Sequence, residues 1–304
     1  MIYFVASDIH SFYDEFIEAL STAGYNKDNP EHILIVCGDI FDRGPKSKEI
    51  FQFLTSLPKE RLILIRGNHE QLFLELIDKD LPERHDFTNG TVKTICQFYA
   101  DAYNIDAESF YNQLCEDIYW SIFVGYKIDG LTKPVSILKE NWKKIISKIK
   151  SLDIIDWLKS DKWRNYYELD NFIFVHSFIP LTSHIFNSYL NSNVVRNYLP
   201  EWRDASQKLW NEAVWVCPWE LYRNGLFNDE EKNGKTLVCG HWHTADFYKY
   251  LKNDDTPTTN IYFSKGIIGL DGGVTNNNYE LIYECNVLVI KDGVCYNKYG
   301  EQLE

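Results

Sequence analysis

Three short apolar runs, at residues 2–6, 32–37 and 62–65, alternate with stretches of helical period. That alternation constrains the fold more than any other feature. Between the first two runs, Phe12, Phe16, Ile17 and Leu20 recur at helical spacing, and Gly24 follows as a stop. Residues 45–57 predict a second helix, with Pro45 in its first turn and Ile50, Phe51 and Leu54 on one face. Residues 72–77 predict a third. Strand and helix in turn imply a parallel sheet covered on both faces, so its strands are solid Ile, Leu and Val. Ligands of such sheets gather at the carboxyl ends of the strands.

From about residue 80 to 165 the helical period dominates. Phe110, Leu114, Ile118 and Tyr119 form one amphipathic set, and Trp142, Ile145, Ile146 and Ile149 belong to another spanning 135–158. The block is expected to be a helical insertion or cap on a single domain of residues 1–304. Its lysines Lys143, Lys144, Lys148 and Lys150 read as a solvated helix face. Apolar runs resume at 172–175, 236–239, 261–263, 267–270 and 286–290. The last of these are short, β-branched and separated by Gly and Asn, which predicts a second, more antiparallel sheet.

The formal net charge of -13 disfavours nonspecific nucleic-acid binding, although a few local cations or metal ions can still hold one phosphate. The seven cysteines include no Cys-x-x-Cys pair, which argues against a thiolate zinc knuckle. Cys37 and Cys239 lie in apolar runs as expected of buried thiols, and the pattern fits a reducing compartment. The N-terminus has no basic leader, and no apolar run approaches the roughly 20 residues of a membrane helix. A cytoplasmic protein without membrane association is expected.

Five of these apolar runs end in residues that can bind a metal. The first ends in Asp8-Ile9-His10, the second in Gly38-Asp39 with Asp42-Arg43-Gly44 close behind, and the third in Gly67-Asn68-His69-Glu70. Residues 172–175 end in His176, and 236–239 end in Gly240-His241-Trp242-His243. Singly, each tip has an ordinary reading: a turn Asp, a surface His, a core His. Jointly they place many polar groups on one edge, where desolvation is costly unless a cation compensates it. Mixed oxygen and imidazole donors suit Mn, Fe or Zn better than Ca. Asp39, central in the set, is the candidate to bridge two ions roughly 3.5–4 Å apart, which together clamp a phosphate and activate water.

This ordered set of motifs resembles the calcineurin-like metallophosphoesterases. The Asp-Arg-Gly and Asn-His-Glu forms are most similar to the phosphoprotein phosphatase (serine/threonine phosphatase) branch, with its bacterial, phage and diadenosine tetraphosphatase-type members. The resemblance covers residues 1–80 and 170–290 and leaves out the helical block. It implies an α/β fold of two packed mixed β-sheets flanked by helices, a four-layer sandwich. It implies two metal ions: Asp8, His10 and His243 on one, Asn68, His176 and His241 on the other, with Asp39 shared. It implies that His69 protonates the leaving oxygen while Asp42 accepts its other ring N–H, and that Arg43 grips the phosphate. Arg66 and Asn68 complete the expected substrate contacts, and Gly67 is expected to give the chain a sharp turn beneath them. A second phosphate-binding arginine is expected between His176 and His241; in the matching stretch around Ala213–Arg223 the candidate is Arg223, with Cys217 or Glu212 as the alternatives for that place.

The function so implied is a dinuclear metal-dependent phosphatase. It would hydrolyse phosphate monoesters of proteins or small molecules by attack of a metal-bridging hydroxide. The alternative is a phosphodiesterase or a symmetrical dinucleoside-tetraphosphatase-type hydrolase. A binding module with an idle metal site is a third reading, opposed by the intact His69 and Asp42 pair.

Overall fold

A computed structural model describes residues 1–123, 134–182, 197–225, 234–275 and 281–304. The chain opens with β1 (Ile2–Ala6), α1 (Tyr13–Thr22), β2 (His32–Cys37), α2 (Ser47–Ser56), β3 (Leu62–Ile65) and α3 (Asn68–Leu76). The three strands pair in parallel, with Ala6 opposite Val36 and Cys37 opposite Ile65. They share a direction and a level, so the residues that follow them emerge at one edge.

The helical block follows as α4 (Arg84–Thr88), α5 (Thr91–Tyr103), α6 (Ala107–Leu114), α7 (Val135–Ile149) and α8 (Asp153–Lys159). Residues 124–133 of the expected insertion lie outside the described residues. β4 (Trp163–Arg164) then returns as a parallel neighbour of β3. α7 and the Lys150 that caps it turn their lysines outward, where Lys144 pairs with Glu140 and Lys150 with Asp78, as expected of a solvated face.

β5 (Tyr167–Glu168) and β6 (Phe172–Phe174) begin the second sheet. After β6 come β7 (Leu181–Thr182), β8 (Asn197–Tyr198), α9 (Gln207–Ala213) and α10 (Pro218–Arg223). β9 (Thr236–Cys239), α11 (Thr244–Lys252), β10 (Tyr262–Ser264) and β11 (Ile267–Gly269) complete it, in the spatial order β10-β11-β9-β6-β5. The hairpin β12 (Gly273–Thr275) and β13 (Leu281–Tyr283) leads to β14 (Leu288–Lys291) and β15 (Val294–Tyr296).

Two expectations about the later strands are corrected. The run at 286–290 does not join the second sheet: β14 lies antiparallel to β1 and extends the first. The centre of the second sheet is parallel, since β9 pairs in parallel with both β6 and β11. Short β-branched segments cannot announce their direction, because strand polarity is set by the connections and not by composition.

Period-2 side-chain alternation explains the layering. Phe4, Leu34, Val36 and Leu64 face the helical block and share a core with Ile95, Trp142 and Trp157. Val5, Ile33, Ile35 and Ile63 point the other way, onto Phe172, Phe174, Val238 and Ile268 of the second sheet. The second sheet's outer face, with Ile173, Leu237 and Ile267, is covered by Trp202, Trp210 and Phe247. The result is helices, sheet, sheet, helices. Burying each large aliphatic side chain in these layers contributes roughly 1.5–3 kcal/mol. Among the described residues, no helix is long and apolar enough to cross a membrane.

Candidate metal centre

The tips of β1, β2, β3, β6 and β9 meet at one edge of the two sheets. Asp39 lies at the centre and is 1% exposed. Its Oδ2 is 3.9 Å from His10 Nε2 and 3.8 Å from His69 Nε2, and its Oδ1 is 3.4 Å from His176 Nε2. Donor atoms of His10, Asp39 and His69 converge in one group, and those of Asp39, His176 and His241 in a second. Asp39 belongs to both, the geometry required of a shared ligand.

Each ring is oriented by a neighbour. His10 Nδ1 donates to the Phe41 carbonyl at 2.9 Å, and His176 Nδ1 to the Cys37 carbonyl at 2.8 Å. A carbonyl only accepts, so in the neutral rings Nε2 carries the lone pair. His176 Nε2 then faces Asn68 Oδ1 at 2.7 Å, acceptor against acceptor. Convergent lone pairs beside a carboxylate oxygen fit a bound cation. This arrangement of ring, carbonyl and open nitrogen is the one metal-binding histidines need.

The electrostatics point the same way. Burial, then the charges of Arg43 and His69, holds His10 well below the usual histidine range. Burial, then His176, takes His241 down to about 3. Neutral imidazoles are the ligating form. Burial by itself would raise the Asp39 carboxyl, but His176, His69, His10 and His241 hold it well below the ordinary range. Asp8 is driven well above that range by burial and by the carboxylates of Asp271 and Asp39. Such mutual repulsion in a buried site is what a cation would relieve.

Asp8 is fixed by its surroundings. It accepts the His241 backbone N–H at 2.9 Å and the Ser7 hydroxyl at 2.5 Å. A Cβ on Gly240 would stand 1.9 Å from Asp8 Oδ2, so only glycine allows this approach. The backbone is left-handed at Asp8 (φ 52°), Asp39 (φ 54°), Asp42 (φ 75°) and His241 (φ 66°). Conformations of this kind are held against their local preference and cluster at functional sites.

His69 is aimed by Asp42, whose Oδ2 is 2.6 Å from Nδ1. Burial disfavours the charged ring, but Asp39 and Asp42 outweigh it and raise His69 above the ordinary value. Asp42 is itself held by α5: Thr91 Oγ1 donates to Oδ2 at 2.8 Å and Thr94 Oγ1 to Oδ1 at 2.6 Å. Gln97, one turn further on, donates to the Gly44 carbonyl and accepts from the Ser47 N–H, both at 2.9 Å. Arg43 is exposed beside the cluster, close enough for its charge to act on His10, His69 and His241.

Several expected roles find a different geometry. Arg66 donates to the Leu158 carbonyl at 2.8 Å and lies over Trp163, lining a side cleft with Gln71, Asn165 and Gln207 rather than the cluster. Its long side chain runs from a strand end toward the helical block, which sequence position does not show. Gly67 has extended backbone (φ -96°, ψ 179°) and makes no sharp turn. Glycine is needed there for room, because a Cβ would meet Asp39 Oδ1 at 2.2 Å. Arg223 is exposed in the last turn of α10. His243 stands aside from both donor groups, its Nε2 3.9 Å from Asp271 Oδ2.

Asp271 carries more than its sequence context implied, and Glu70, in a helix's first turn, also orients its neighbours. Buried Glu70 accepts from Asp39 N at 3.0 Å, Ile40 N at 2.9 Å and Gly67 N at 2.7 Å, tying the β2 tip to the β3 tip. Asp271, just past β11, is buried, accepts from Gly273 N at 2.9 Å and faces His243. The Asp271-Gly272-Gly273 turn after an apolar run repeats the signal of the other tips.

The calcineurin-like phosphoesterase family description matches residues 1–245. The chain belongs to that family. A bis(5'-nucleosyl)-tetraphosphatase (asymmetrical) of Bacillus subtilis is 38% identical over 76 residues, 23% of this chain and 31% of the relative. A symmetrical bis(5'-nucleosyl)-tetraphosphatase of Buchnera aphidicola is 40% identical over 68 residues, 22% of this chain and 23% of the relative. The chain thus spans less than a third of the length of these curated relatives. A metallophosphoesterase structure from Sphaerobacter thermophilus superposes over 100% of this chain and 89% of its own, with a TM-score of 0.45 and 12% identity.

Proposed function

We propose that the protein is a dinuclear metal-dependent phosphatase acting on phosphate monoesters. The observation that carries this reading is Asp39, set between two groups of donors and facing an imidazole on each side. Asp8, His10 and Asp39 would hold one ion, with His243 at its margin, and Asp39, Asn68, His176 and His241 the other. Mn, Fe or Zn fit this donor set. When bound, such ions supply positive charge to the phosphoryl oxygens and acidify water.

The chain's own residues do the rest. Arg43, exposed beside the cluster, would grip two phosphoryl oxygens with its planar fork. His69 is raised toward its protonated form and offers Nε2 to the leaving oxygen, while Asp42 keeps Nδ1 engaged. Glu70 holds the backbone of Asp39 so that the central carboxylate stays aimed.

A second reading, hydrolysis of a dinucleoside polyphosphate, is favoured by the relatives that match about a quarter of the chain. Elemental analysis for metal comes first. Phosphate release from a phosphopeptide, p-nitrophenyl phosphate, its bis-ester and diadenosine tetraphosphate in added Mn then separates the readings. Turnover of the monoesters is expected to lead. Preference for the tetraphosphate moves the assignment to the second reading, and no turnover at full metal occupancy leaves an idle binding module.

A further inference from the structure

Trp215 stands beside the cluster with 42% of its surface open. Its ring is 5.8 Å from that of His241, with the two planes at 90°. The segment carrying it is fixed from both sides. Trp215 N donates to Glu212 O and Val216 N to Ala213 O, closing the end of α9, each at 3.2 Å. The buried Ser177 hydroxyl, next to His176, donates to the Val216 carbonyl. Trp210, Ala213 and Val216 are anchored in the core beneath the second sheet. Trp215 is therefore an open indole on a rigid mount, one residue from a bond to the tip that carries His176.

An open, immobilised tryptophan is a ready stacking surface. On the other side of His241, Trp242 meets the same imidazole edge-on at 5.8 Å, but it is packed between His241 and Trp219. Trp219 is itself stacked on Tyr250 at 4.1 Å. Among the described residues, Trp215 is the most open of the aromatic rings about His241. Resting on the reading that a phosphoryl group sits against Asp39 and Arg43, we propose that Trp215 forms a subsite that stacks the nucleobase of a nucleoside phosphate. A phenyl ring bonded straight to the phosphoryl oxygen would lie over the cluster itself. A base set off by a sugar reaches past His241 to the indole.

The test is calorimetric binding to Mn-loaded protein of two phosphonates that resist hydrolysis, the methylene phosphonate analogue of AMP and methylphosphonate. Trp215→Ala is expected to weaken the AMP analogue about tenfold, within the range of base–aromatic stacking. It should leave methylphosphonate within about twofold, and Trp215→Phe should restore most of the loss. Equal affinity for the AMP analogue in wild type and Trp215→Ala overturns the subsite. So does an equal loss for both phosphonates, which would make Trp215 a shaper of the phosphoryl site only. If wild type binds methylphosphonate but gains nothing from the base, the subsite falls and the phosphoryl site stands. If wild type binds neither, both fall.

Discussion

Glu70 Oε2 accepts the backbone N–H of Asp39 at 3.0 Å, so a side chain from the third strand tip sets the aim of the carboxylate at the second. The same carboxylate also caps Gly67 N, reaching back to the residue before α3. The general preference for an acid in a helix's first turn accounts for its type. It does not account for its burial.

Removing that side chain leaves the N–H groups of Asp39, Ile40 and Gly67 buried and unpaired. Glu70→Ala is expected to lower unfolding stability by about 3 kcal/mol or more, since each unpaired buried donor costs about 1–3 kcal/mol. Urea unfolding measures this. A change below about 1 kcal/mol would mean that water or rearrangement satisfies these groups.

Asp39→Asn removes charge from the shared position while keeping its shape. Metal content per chain, by elemental analysis, is expected to drop together with activity. Full occupancy by two ions in this variant would take the shared-ligand role away from Asp39.

His69→Asn is expected to cut turnover by roughly 10²-fold while metal content holds. The loss should be larger for an alkyl phosphate than for p-nitrophenyl phosphate, whose leaving oxygen needs less help from a proton. Unchanged turnover of the alkyl substrate would remove the acid role.

The His69 ring is also expected to titrate above the ordinary histidine value of about 6.5 in metal-free protein. A raised folded value means that the ring's favourable interactions with Asp39 and Asp42 are fully present below the unfolded value. They are lost as pH rises through the folded one. Asp42→Asn should bring the titration down and flatten that part of the stability profile. NMR of the ring protons across pH reads the first, and denaturant unfolding at several pH values the second. A His69 titration that ignores Asp42→Asn would contradict the pairing.

Much of this arrangement is legible in the sequence. The parallel order of β1, β2 and β3 follows from apolar runs broken by helical period, and Asp8, Asp39, Asn68, His176 and His241 follow from what ends those runs. What stayed hidden depended on reach across space. Arg66 sits at the right strand end, yet its side chain leaves along Trp163. His243 is two residues from His241 and still faces Asp271 instead of the shared carboxylate. Thr91, Thr94 and Gln97 recur at intervals of three on a helix whose neighbours are buried and apolar. A polar stripe on such a face was the available signal, but nothing in the string said that Asp42 lay opposite it.

That stripe has a consequence for how the molecule can be taken apart. A segment that merely covered a preformed centre could be trimmed or exchanged with a homologue's, leaving the machinery underneath to run uncovered. Here α5 supplies the hydroxyls that keep Asp42 pointed at His69. Excising the helical block would strip His69 of its alignment, so any attempt to whittle this chain down to a minimal hydrolase must carry Thr91 and Thr94 along.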